Sequence, residues 1–177
     1  MVNSEFVLKL MEFYNKKPKN FPRVLNAIIR RELLVQISRA DEEIHLIEDE
    51  TEKDSRGKYI GEHLSDLADS LLALEEFLQY FRDIPLKKDD NGCVTSGEDI
   101  RMILGDLAAT LALTSKSCYR QSWKMVSDEE FAQVRKDALT TANDIRDSLY
   151  ETDRELMLLK TEFKIPEPIP DPFIAQT

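Results

Sequence analysis

Residues 127–164 read SDEEFAQVRKDALTTANDIRDSLYETDRELMLLKTEFK, and this stretch decides the fold. Phe131, Val134, Ala138, Ala142, Ile145, Leu149, Thr152, Leu156, Leu159 and Phe163 recur in steps of three and four. That spacing keeps one stripe on one side of an α-helix. Ser127 can cap the free N–H groups of the first turn, and Glu130, three residues on, can reach back to complete a capping box. Asp128 and Glu129 put negative charge at the positive end of the helix dipole. Ile165-Pro166 ends the pattern, because proline cannot continue a helix. The sequence thus predicts a helix over 127–164, about 55 Å long at 1.5 Å per residue. Such a stripe needs partners along its length, and this helix is expected to be the most buried.

Three more long helices answer it. The segment from Pro22 to Asp54 places Asn26, Arg30, Leu33, Ile37, Ala40, Ile44 and Ile47 on one side. Gly61 to Arg82 carries Leu64, Leu67, Leu71, Leu74, Leu78 and Phe81. Gly97 to Lys124 carries Ile100, Ile103 or Leu104, Leu107, Leu111, and Thr114 or Cys118. Asp54-Ser55-Arg56-Gly57 reads as a break, and residues 83–96 as the longest loop. Residues 3–15 form a short helix with Phe6, Val7, Leu10, Phe13 and Tyr14 on its apolar face, with Leu8 and Met11 outside it. The fold class is all-α: an antiparallel four-helix bundle of long helices with a short N-terminal helix and an extended Pro-rich C-terminal tail. Residues 1–21 make the short helix and a basic linker, 22–164 the bundle, and 165–177 the tail, whose alternating prolines favour polyproline II. An echo between Gly61-Glu62…Asp66-Leu67-Ala68 and Gly97-Glu98…Asp106-Leu107-Ala108 falls at unequal offsets, as similar amphipathic helices produce without duplication.

Charge narrows the function. The chain of 177 residues has a net charge of −10. Phosphate backbones would be repelled, so direct nucleic-acid binding is not expected; the charge is compatible with solubility, with a basic protein partner, or with imitation of nucleic acid toward a basic groove, and the expected partner is another protein. Cys93 and Cys118 form no pattern, no secretory signal is evident, and no run of about 18 apolar residues occurs that could span a membrane. These features read as a cytoplasmic protein with free thiols. Leu46 and Leu72 each point away from their helix's stripe, which leaves a homo-oligomer open. The strongest surface feature is the acidic exit of the second helix, Asp41, Glu42, Glu43, Glu48, Asp49 and Glu50, taken here as the candidate partner-binding residues.

Three constellations could carry chemistry. Glu42-Glu43 followed by Asp66-Leu-Ala-Asp69 resembles the MazG-like all-α nucleotide pyrophosphatases, whose Glu-Glu-x-x-Glu and Glu-x-x-Asp helices hold Mg²⁺. Here Leu46 replaces the third acid of the first helix and Asp66 stands for Glu in the second. Helix phase turns Asp69 away from Leu67, Leu71 and Leu74, and Glu42 away from Ile37 and Ile44. Residues 87–98 resemble an EF-hand loop, with Asp89, Asn91, Gly92, Val94 and Glu98 on its third, fifth, sixth, eighth and last positions and Lys87 in place of the leading carboxylate. Arg39 and His45 resemble the Arg-x₄₋₆-His motif of HEPN-type ribonucleases, with Ala40 where a polar residue is usual. His63 reads as a boundary residue beside its apolar stripe. No set is complete. No cofactor, metal site or catalytic residue is therefore assigned. The expected function is a non-catalytic acidic interaction protein, an adaptor, inhibitor or regulator. A Mg²⁺-dependent nucleotide pyrophosphatase is the first alternative and a divalent-cation module at 87–98 the second.

Overall fold

The computed structural model describes residues 4–49, 57–122 and 127–157. It is all-α apart from one small hairpin. In chain order come α1 (Ser4–Lys16), α2 (Phe21–Glu48), α3 (Lys58–Leu78) with a 3₁₀ turn at Gln79–Phe81, β1 (Pro85–Lys88), β2 (Val94–Ser96), α4 (Gly97–Ser122) and α5 (Asp128–Met157). Glu50, the 54–56 break, Trp123, the Met125-Val126 lead-in, Leu159, Phe163 and the Pro-rich tail lie outside the described residues.

The local signals explain where helices start. Glu130 donates its backbone N–H to Ser127 Oγ at 3.2 Å, and Ser127 donates its own to Glu130 Oε2 at 3.1 Å. This is the expected capping box. At α4 the backbone N–H of Ser96 reaches Asp99 Oδ2 at 2.8 Å, a similar clasp across three residues.

Polar pairs fix how the helices meet. Arg39 of α2 donates to Ser70 Oγ of α3 at 2.7 Å, and Ser70 donates to Gln36. Arg30 reaches Asp153 of α5 at 3.1 Å, and Arg146 reaches Asp41 at 2.8 Å. Ser115 of α4 donates to the Gly61 carbonyl of α3 at 2.7 Å. As numbers rise on one helix of each pair they fall on the other, so α2 runs opposite to both α3 and α5. Between them lies the apolar core, with Leu33, Leu64, Leu71, Leu111 and Leu149 all fully buried. The short N-terminal helix docks on this body. Its Phe6 ring stands 6.5 Å from Phe77 of α3, and Phe13 stands 6.3 Å from Phe21 of α2.

Two expectations are corrected. The most buried helix is not the last one. Ten of 21 residues in α3 are buried, against seven of 30 in α5. α3 is flanked by α2, α4 and Phe6 of α1, so it is apolar over a wide arc, whereas α5 buries one narrow stripe that includes the small Ala138 and Ala142. The second correction is the loop at 83–96, which contains an antiparallel hairpin. The Asp89 carboxylate accepts the backbone N–H groups of Asn91 (2.9 Å) and Cys93 (2.8 Å), and Gly92 takes φ +85°. An Asx turn with glycine in the left-handed region closes two short strands. The register slips at Leu86, which is buried and whose carbonyl accepts Asn26 Nδ2 at 3.2 Å.

The sequence of ion pairs at this corner gives a pH dependence. Glu98 is gripped by Arg101 (2.6 and 2.8 Å) and Arg82 (2.7 Å), and Arg101 also reaches Glu75 at 2.7 Å. The hydrogen bonds from Arg101, then those from Arg82, hold the Glu98 carboxyl down at about 2, against an ordinary value of 4.5. A depressed carboxyl stabilises the fold above its unfolded value, and that contribution is lost as pH falls through the folded one. Wild type is therefore expected to exceed Glu98→Gln in urea midpoint at pH 6, with the gap closing from about pH 4.5 towards pH 2. A constant gap over that range would show that the carboxylate charge is not what the two arginines recognise.

Candidate interaction surface

One side of α2 carries Val24, Ile28, Val35, Arg39, Glu42 and Leu46, a single stripe at helical spacing. Its first part is buried, with Val24 and Ile28 at 1% and 3% exposure. Its second part is open, with Val35 at 36% and Leu46 at 42%. On α3 the corresponding stripe is Tyr59, Glu62, Asp66, Asp69, Ala73 and Phe77. Tyr59 is 41% exposed, Asp66 and Asp69 face solvent, and Phe77 is closed off beside Phe6.

The two stripes flank one groove. The Arg39–Ser70 bond joins their middles. About one helical turn along α2 from Arg39, His63 Nδ1 of α3 stands 2.7 Å from Glu43 Oε2. Burial pushes the Glu43 carboxyl above its ordinary range. The charge of His63 and its hydrogen bond oppose this, and the carboxylates of Asp66 and Glu42 add to it. Asp66 and Glu42 thus lie within electrostatic reach of Glu43, and both are exposed on the outer side of the α2–α3 seam.

The candidate residues divide accordingly. Asp41 turns to α5, where it accepts from Arg146. Glu43 is paired with His63 in the seam. Glu42 is exposed on the groove. Glu48 lies 3.6 Å from the exposed His45, and Asp49 ends the helix with its backbone N–H bonded to the His45 carbonyl at 3.0 Å. Glu50 lies outside the described residues. For the pyrophosphatase pattern, Glu42, Glu43 and Asp66 are neighbours and Asp69 faces outward, as helix phase predicts. For the EF-hand pattern, Asp89 serves the turn and Glu98 serves Arg82 and Arg101. Among the described residues no group of three or more His, Cys, Asp or Glu side chains is arranged to hold a metal ion. Arg39, part of the HEPN-like spacing, is bonded to Ser70, while the His45 side chain is 75% exposed.

A separate cavity of about 230 Å³ lies between the end of α4 and the start of α5, lined by Thr114, Ser117, Cys118, Gln133, Val134 and Asp137 among others. Burial pushes the Cys118 thiol up to about 11, so it is a weak nucleophile at neutral pH.

The sequence reading found the acids of this surface and Leu46, but not Val35, Tyr59 or Ala73 as its neighbours. A stripe that continues a buried apolar row into open residues was the available signal. No helix among the described residues is long and apolar enough to cross a membrane. Comparison with protein-family models, with curated proteins and with solved structures finds no match for this chain.

Proposed function

We propose that this chain is a non-catalytic, cytoplasmic interaction protein, an adaptor, inhibitor or regulator. In this reading α2 to α5 form an antiparallel four-helix bundle that presents the outer α2–α3 groove to a protein partner. The observation that carries it is the union of exposed apolar and exposed acidic side chains in one groove: Val35, Leu46 and Tyr59 with Glu42, Asp66 and Asp69. Exposed apolar surface rimmed by polar residues is one mark of a protein-binding site. The pyrophosphatase reading draws support from the closeness of Glu42, Glu43 and Asp66. It asks Glu43, now bound to His63, to serve a metal instead.

The test is capture of partners by the tagged chain from an extract of its source. Glu42→Lys, Asp66→Lys and Asp69→Lys together should abolish the capture without lowering the melting temperature. The same charge change on α5, by Asp144→Lys, Glu151→Lys and Glu155→Lys, should leave it intact. Equal loss in both triples would reduce the effect to net charge, and loss in neither would remove the groove from the function.

A further inference from the structure

From the geometry of the same groove, and resting on the reading just given, we infer that the partner element is a basic amphipathic helix, seated end-on to α1 along the α2–α3 seam. The first argument is continuity. The chain already lays one amphipathic helix across these two elements. The buried face of α1, Phe6, Val7 and Leu10, meets them where Phe77, Val24 and Ile28 are closed to solvent. Beyond the N-terminal end of α1, the same two stripes run on with the same spacing, and among the described residues Val35, Leu46 and Tyr59 on them are exposed. Val35 and Ala73 stand at the near end and Leu46 and Tyr59 at the far end. Leu46 stands eleven positions after Val35, about 16 Å along the axis, so three turns of helix fill the open length.

The second argument is charge. Between the apolar ends lie Glu42, Glu62, Asp66 and Asp69. Of the bases on the α2 stripe, Arg39 already donates to Ser70, and Arg31 lies one turn before Val35, outside the acidic stretch. A helix seated here would place apolar residues about eleven positions apart against Val35 and Leu46, with Lys or Arg between them facing the acids. Other occupants fit less well. A second copy of this chain brings a net charge of −10 to an acidic face. The segment 158–177 holds Lys160 and Lys164 against Glu162, Glu167 and Asp171. An anionic lipid surface would be repelled.

The experiment uses the full chain and a synthetic probe. The probe is an alanine-based helical peptide with leucines about eleven positions apart and four lysines between them, matched to the groove's length. A control peptide of identical composition has its leucines scattered around the helix. The expected result is saturable binding of the probe, weakened about tenfold or more by Leu46→Asp and by Asp66→Lys, with the control at least tenfold weaker. Amide shifts on probe addition should cluster at residues 35–46 and 59–73 and spare α5. Equal binding of probe and control would leave only non-specific charge attraction and overturn the inference, as would no binding. A dimer in solution that Leu46→Asp converts to monomer would assign the groove to a second copy and also overturn it. Partner capture lost in the triple-lysine variant, together with no probe binding, would sink the helix and spare the proposed function. Capture that survives the triple-lysine change would sink the proposed function itself.

Discussion

Phe77→Ala is expected to cost about 3–5 kcal/mol, the range for truncating a fully buried aromatic. Phe77 has no exposed surface, and its ring lies 6.5 Å from Phe6 and 5.4 Å from Phe81. Phe81 in turn lies 5.3 Å from Phe21, which meets Phe13 and Tyr14 of α1. The ring therefore joins three elements: α1, α3 and the turn that leads to the hairpin. Removing it leaves a cavity whose walls belong to separate helices, and such walls do not collapse easily. Two readouts check this. Denaturant unfolding should show the full loss, and hydrogen exchange should show the α1 amides released first, because Phe6 loses its seat. Leu72→Ala on the same helix, at 45% exposure, should change stability by no more than about 0.5 kcal/mol. A Phe77→Ala loss under about 1 kcal/mol would mean that the aromatic junction does not hold α1 in place.

That junction also shows where the sequence could and could not be read. The stripes of α3 and α5 were legible because each is a local period. Leu64 to Phe81 and Ala138 to Leu156 are buried as the threes and fours require. The capping box of Ser127 and Glu130 was legible for the same reason, since both partners lie within four residues. So was the outward turn of Asp69 and Leu72. The hairpin was missed although its turn residues, Asn91-Gly92, were noticed. Its strands are four and three residues long, too short for alternation to show, and Pro85 starts one of them. The contacts that define the candidate groove lie between segments: Glu43 with His63, Arg39 with Ser70, and Asp41 with Arg146. Each depends on the register of one helix against another, which no local spacing encodes. Hence six acids at one helix exit read as one candidate site, and of those described the structure sends Asp41 to α5, Glu43 into the seam and Glu42 to the groove. The groove's other half comes from α3, where Asp66 and Asp69 were visible only as a fragment of another pattern.

Gly97→Ala should be the most damaging of the small substitutions, costing about 3 kcal/mol or more through forced backbone movement and weakened hydrogen bonds. A Cβ on Gly97 would stand 2.1 Å from the Phe81 carbonyl oxygen and 3.0 Å from its carbon. Neither neighbour is a flexible side-chain tip. The glycine cannot retreat, because its N–H donates to the Ile84 carbonyl at 3.0 Å and the next N–H, of Glu98, donates to the Arg82 carbonyl at 2.9 Å. Those two bonds anchor the first turn of α4 to the end of α3, beside the Glu98–Arg101 grip. Making room for one methyl group must stretch them both. Gly105, on the same helix, is the control: a Cβ there meets nothing within 4 Å. Gly105→Ala should therefore stabilise the protein by about 0.5–1 kcal/mol, the gain from replacing glycine inside a helix. Opposite signs for one chemical change, eight residues apart on α4, can be measured in a single urea series. If Gly97→Ala were neutral, the close approach of α4 to the Phe81 carbonyl would be wrong, and with it the corner that sets α3 against α4.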